Sequence, residues 1–118
     1  MESRLLNKLA ERGCNVADML NDTFMGMEAF YEKMLRQFPE STAVSRIRST
    51  YEAGDVKGCF EASHELKGLS ATLGLAPLNS VCSKIVEIVR PGVSVEGVGD
   101  LLPELERLNA EFIAIISE

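Results

Sequence analysis

Apolar residues recur along this chain at intervals of three and four, and nowhere do they alternate with polar ones for long enough to make a strand. Residues 2–11 form a first short helical segment, closed by Gly13. Asn15 stands where it can cap a second helix through Leu20, its side chain accepting from first-turn amides. A third helix is predicted over about 26–38, with Met27, Phe30, Tyr31, Met34 and Phe38 at helical intervals, and Pro39 stops it. Ser41 or Thr42 caps the next, which carries Val44, Ile47 and Tyr51 and ends at Gly54. Asp55 opens a longer helix that reaches about residue 73 and closes at Gly74. Pro77 suits the first turn of a helix running to Arg90, where a missing amide has no intrahelical partner. Pro91-Gly92 breaks that helix, and residues 93–99 read as loop or at most a weak helical turn. A last amphipathic helix covers roughly 100–116, with Leu101, Leu105, Leu108, Phe112 and Ile115 or Ile116 on one side. Several such helices joined by short turns predict an all-α, antiparallel up-and-down bundle with extra short helices at its N-terminus.

Composition narrows the functional classes. A chain of 118 residues is the size of one domain, 1–118, and can bury roughly two-thirds of its unfolded surface. No run of 18 apolar residues could cross a membrane, and charges interrupt the N-terminal segment where a signal peptide would be apolar. The expected compartment is therefore the cytoplasm. The formal charge is −6, without a basic run, which opposes nucleic-acid binding. Cys14, Cys59 and Cys82 are odd in number and lack CxxC spacing, so a disulfide framework is not indicated. A zinc site would need all three together with His64, and scattered ligands of that kind rarely hold structural zinc.

The one histidine is the residue with chemistry to explain. On a helical wheel, Val56, Cys59, Ala62, Ser63, Leu66, Leu69, Ser70 and Leu73 share an arc of about 140°, a core stripe containing two small serines. His64 lies about 80° beyond the nearer edge of that stripe, so its imidazole is expected to be exposed. Lys57, Phe60, Lys67, Gly68 and Ala71 surround it on the wheel. Gly68, at i+4, is costly in mid-helix, by about 1 kcal/mol relative to alanine. With Ala71 it leaves a bare strip through which another protein could approach. Lys67, at i+3, can place an ammonium beside anything attached to the ring, with Lys57 adding to that field from two turns back. Neutral imidazole is a competent nucleophile near neutral pH, and phosphoryl transfer asks mainly for positioning and positive charge. These residues on their own establish an exposed histidine in a docking strip. A single surface histidine is more often incidental, and lysines beside it are more often simply solvated.

Residues 54–90 closely resemble the signature of histidine phosphotransfer (HPt) domains. Ser63, His64, Leu66, Lys67, Gly68, Ser70, Gly74, Leu78 and Cys82 match its motif, and Ala53-Gly54-Asp55 matches its usual lead-in. The stretch Phe24-Met25-Gly26 with Phe30-Tyr31 is similar to the N-terminal part of stand-alone bacterial members. The resemblance implies a four-helix bundle in a two-component phosphorelay, with His64 as phosphoacceptor in mid-helix. On that basis Nε2 of His64 takes a phosphoryl group from a receiver-domain aspartyl phosphate and passes it on. Lys67 would steady the phosphate, and Phe60, Gly68, Ala71 and Lys57 would meet the partner. The implied partners are response-regulator receiver domains and a hybrid or sensor histidine kinase. No cofactor is expected, since Mg2+ in such transfers sits on the receiver. A monomeric phosphocarrier without independent turnover follows. Two departures, Ser63 where alanine is commoner and Ile85-Val86 after the cysteine, lie away from the presumed phosphate site.

Two rival readings share these residues. Ser63-His64-Glu65-Leu66-Lys67 also resembles the phosphoacceptor box of dimerising sensor kinases, but Gly68-Leu69 follows in place of Thr-Pro. No glycine-rich nucleotide-binding segment accompanies it, which leaves Glu65 as a solvated residue. The other rival is a helical bundle that binds partners without chemistry. Hydrolase arrangements find no support, since neither GxSxG nor a second histidine for HExxH is present.

Overall fold

The computed structural model describes all 118 residues and contains helices and turns only. Its helices are α1 (Arg4–Glu11), α2 (Val16–Asp22), α3 (Glu28–Leu35), α4 (Ala43–Glu52), α5 (Val56–Thr72), α6 (Ala76–Val89) and α7 (Val98–Ile116), with a 3-10 turn at Phe38–Glu40. Helix α4 packs on α5 and α7, and α6 packs on the same two, so the last four helices close a ring in chain order. Short connections make successive neighbours antiparallel. This is the expected up-and-down bundle.

Local chemistry explains where α5 and α6 begin. Asp55 sits in an extended conformation, and its carboxylate accepts from the Gly58 amide at 2.9 Å, satisfying one of the helix's free donors. Pro77 lies in the first turn of α6. Between the two helices the chain reverses at Gly74, whose φ of +74° is strained for any residue with a Cβ.

The N-terminal helices cap that same end of the bundle. Tyr31, fully buried, donates its hydroxyl to the Leu73 carbonyl at 2.6 Å, and the Asn15 amide donates to the Gly74 carbonyl at 3.0 Å. Phe24 stacks on Tyr31 with ring centroids 4.3 Å apart. Helix α1 packs against α7, and the Arg36 guanidinium donates to the Ile116 carbonyl at 2.9 Å, closing the α7 C-terminus. Leu6, Tyr31, Leu66, Ile85 and Phe112 belong to one continuous core.

Several local expectations are corrected. Asn15 occupies the position before α2, but its side chain makes no capping bond; its carbonyl accepts from the Met19 amide of α2 and its amide donates to the α5–α6 turn. The third helix is shorter than predicted: it ends at Leu35, and Phe38 and Pro39 lie in a separate 3-10 turn. Of its predicted stripe, Tyr31 and Phe38 are buried whereas Met27 and Phe30 are exposed. Thr42 precedes α4 without a side-chain cap, and Ser41 Oγ accepts from the Ala43 amide instead. The final helix starts at Val98 and carries Pro103 in its interior. Leu102, which the predicted stripe omitted, is buried, while Leu101 is half-buried. Gly99 permits this early start, since a Cβ there would lie 2.3 Å from the Tyr51 hydroxyl of α4.

A Cβ at Gly74 would lie 2.6 Å from the Tyr31 hydroxyl and 2.8 Å from Met19 Cγ, in addition to the strain of its positive φ. Gly74→Ala should therefore destabilise the protein by about 2 kcal/mol in urea unfolding. A change below about 0.5 kcal/mol would show that the turn and its cap relax freely.

Candidate functional site

Helix α5 is divided lengthwise. Cys59, Ala62, Ser63, Leu66 and Ser70 are buried along one face, with Val56 and Leu69 half-buried at its margins. His64 is exposed, as are Glu61, Glu65, Gly68 and Ala71. The core-stripe reading thus holds at its centre, and the imidazole faces outward in mid-helix. Its nearest aromatic neighbour is Phe60, one turn back, with ring centroids 5.5 Å apart and planes tilted by 31°. Phe60 is half-buried against the core, so it supports one side of the imidazole without covering it.

The flank toward the C-terminal end of α5 is open. A Cβ built at Gly68 meets no atom within 4 Å, so the glycine answers no packing demand inside this chain. Lys67 is half-buried, and its ammonium has no carboxylate partner in any ion pair of the structure. A cation without a partner beside the exposed imidazole is available to an anion brought there. Lys57 is exposed near the start of α5, two turns from His64 and about 10 Å along the axis. It belongs to the same face without touching the ring. Glu65, next to the histidine, is tied to Arg46 of α4 in an exposed ion pair.

Helix α6 grips the helix that carries the histidine. Asn79 Nδ2 donates to the Lys67 carbonyl at 2.8 Å and to Ser70 Oγ at 3.2 Å. The Cys82 thiol donates to the Ser63 carbonyl at 3.0 Å. Small side chains on the buried face of α5 allow this closeness, and no buried side-chain polar atom lacks a partner. At the far end of α6, the Arg90 guanidinium lies 5.9 Å from the centroid of the Phe60 ring and pairs with Glu87. That hydrogen bond holds the Glu87 carboxyl below its usual range. Sequence reading passed over Asn79, Arg46 and Arg90. The signal available for each was spacing on a neighbouring helix, which becomes readable only once helix pairing is known.

The three cysteines are all buried and unpaired with one another. Burial pushes the thiols of Cys14 and Cys82 up to about 12 and raises that of Cys59. No group of three or more His, Cys, Asp or Glu side chains is placed to hold a metal, so His64 and the cysteines do not converge.

With this geometry in place, the comparison with known families is decisive. The family model described as Hpt domain matches residues 18–115. The chain belongs to the Hpt domain family. No curated protein and no solved structure matches it. Membership brings the function class: Hpt domains serve histidine phosphotransfer in two-component phosphorelays, as phosphocarriers that interact with receiver domains and histidine kinases. The all-helical bundle agrees with it, and no helix is long and apolar enough to cross a membrane.

A thiol-reactive disulfide reagent at pH 8 should label none of the three cysteines in the folded protein and all of them in denaturant. Rapid labelling of any native thiol would contradict its burial. The same shifts set a pH dependence. Unfolded thiols lose protons near 9, whereas folded Cys14 and Cys82 keep theirs to about 12, so between these limits the unfolded chain holds fewer protons. The thiol contribution to stability is therefore complete below pH 9 and declines as pH rises toward 12, which a series of urea melts would follow.

Proposed function

We propose that this Hpt domain accepts a phosphoryl group on Nε2 of His64 from the aspartyl phosphate of a receiver domain and passes it to another receiver. The observation that carries the reading is the placement of the sole histidine: exposed in mid-helix, beside a glycine whose flank is empty. The Nε2 lone pair attacks phosphorus while the bond to the aspartyl oxygen breaks, and the carboxylate departs with that electron pair. The ring's proton stays on Nδ1 through the attack. Lys67 contributes its ammonium to the equatorial oxygens, where charge spreads in the transition state.

Gly68 and Ala71 let the partner's phosphorylated loop come close, and Phe60 offers an apolar contact beside the imidazole. Lys57 adds positive potential at the edge of an otherwise acidic protein. No cofactor is assigned to this chain: the Mg2+ that such transfers use is placed on the receiver. The protein acts as a carrier, with turnover belonging to its partners, and it works as a monomer in the cytoplasm.

Transfer from a phosphorylated receiver should place acid-labile, base-stable phosphate on the wild type and none on His64→Gln. The substitution should change folding stability by less than about 0.5 kcal/mol, because the side chain is exposed. Phosphate retained by His64→Gln would end the assignment. Gly68→Gln offers a sharper contrast. It should raise stability by as much as about 1 kcal/mol, since glycine is a poor helix former and the new side chain has open space. It should also slow transfer by obstructing the partner. Wild-type transfer by this variant would remove Gly68 from the docking surface.

A further inference from the structure

We infer that Asn79 and Cys82 on α6 are positioning residues for this transfer, an inference that rests on the phosphocarrier reading above. The Asn79 amide donates to the Lys67 carbonyl at 2.8 Å, and the Cys82 thiol donates to the Ser63 carbonyl at 3.0 Å. Asn79 and Cys82 are three residues apart and so share a face of α6. Ser63 and Lys67 are four apart and share a face of α5. The two carbonyls bracket the single turn that begins with His64 and ends with the phosphate-facing lysine. Together with the Asn79 bond to Ser70 Oγ, these are the only side-chain hydrogen bonds joining α5 to α6.

The core around that contact is otherwise apolar, with Leu66 buried on one helix and Leu78, Val81 and Ile85 on the other. Helix α5 is packed between α4 and α6, and that packing sets its general placement. Hydrogen bonds weaken steeply with misalignment, so a pair of them one turn apart adds a directional restraint on the azimuth and register of α5. Rotating α5 by about 15° would carry a side-chain tip about 6 Å from its axis through about 1.5 Å. Displacements of that size can cost about a hundredfold in rate when in-line attack is required.

Loss of the Asn79 amide leaves no stranded group, because Ser70 Oγ also donates to the Lys67 carbonyl. The consequence therefore falls on geometry more than on stability. Neither residue touches the phosphate. Each acts through the backbone of α5.

The test uses the intact chain, a phosphorylated receiver, and phosphoramidate as a small donor that needs no docking. In Asn79→Ala the single-turnover rate constant at saturating receiver should fall about tenfold. Receiver Kd, phosphorylation by phosphoramidate and helix content should stay at wild-type values. Cys82→Ala should move the rate constant in the same direction, and Cys82→Ser, whose hydroxyl restores a donor, should recover most of it. A wild-type rate constant in folded Asn79→Ala overturns the inference, as does a loss explained wholly by weaker receiver binding. If Cys82→Ala does not fold, the Asn79→Ala result decides alone. Failure of the wild type to take phosphate on His64 from either donor would instead overturn the phosphocarrier reading itself.

Discussion

The close contact between α5 and α6 is the constraint around which the rest of this protein is arranged. It requires small side chains on the buried face of α5, and Cys59, Ala62, Ser63 and Ser70 supply them. It also requires that the hydroxyls and thiol buried with them find partners, since an unsatisfied polar group inside costs about 1–3 kcal/mol. The partners are largely backbone carbonyls of α5 itself, at Phe60, Ser63 and Lys67. The two serine hydroxyls are satisfied within α5, and the Cys82 thiol is satisfied by a carbonyl of the residue that precedes the histidine.

One helix consequently serves two purposes with opposite demands. Its inner face needs close packing. Its outer face needs a nucleophile, an unpaired cation and enough bare surface for another protein to reach both. The demands are separated by about a quarter turn of helix, and residues adjacent in sequence meet opposite fates: Ser63 is buried and His64 exposed. Gly68 shows the price of this arrangement, because it weakens the helix and nothing in the chain fills the space beside it.

The opposite requirement appears at the end of the bundle. The turn between α5 and α6 is covered by Tyr31, Phe24 and the Asn15 backbone, and this cap leaves no room for a Cβ at Gly74. The N-terminal helices, of which α1 precedes the segment matched by the family, fasten the α5–α6 turn and the α7 C-terminus. They stabilise the frame that holds α5 and stand apart from the exposed histidine.

Much of this was legible in the residues. Asp55, Gly74 and Pro77 mark the ends of α5 and α6 through capping and backbone conformation, which are local effects. The exposure of His64 followed from helical periodicity alone. The Hpt signature did what periodicity could not, by attaching a chemistry to that exposed ring. Where local reasoning failed, a distant contact had overruled it. The Asn15 side chain makes no cap bond while its backbone amide donates to the Gly74 carbonyl, and Met27 and Phe30 keep helical spacing yet stay exposed, Phe30 set edge-on to Phe24. Periodicity and end signals along the chain fix the number and order of the main helices, the face of α5 that is buried and the residue that stands out from it. Folding in three dimensions is what brings Asn79 and Cys82 to the Lys67 and Ser63 carbonyls, leaves Lys67 unpaired while Arg46 takes Glu65, and carries Arg90 to Phe60. Those pairings join residues on different helices, and their geometry depends on how the helices are rotated against one another, which no periodicity along a single helix encodes.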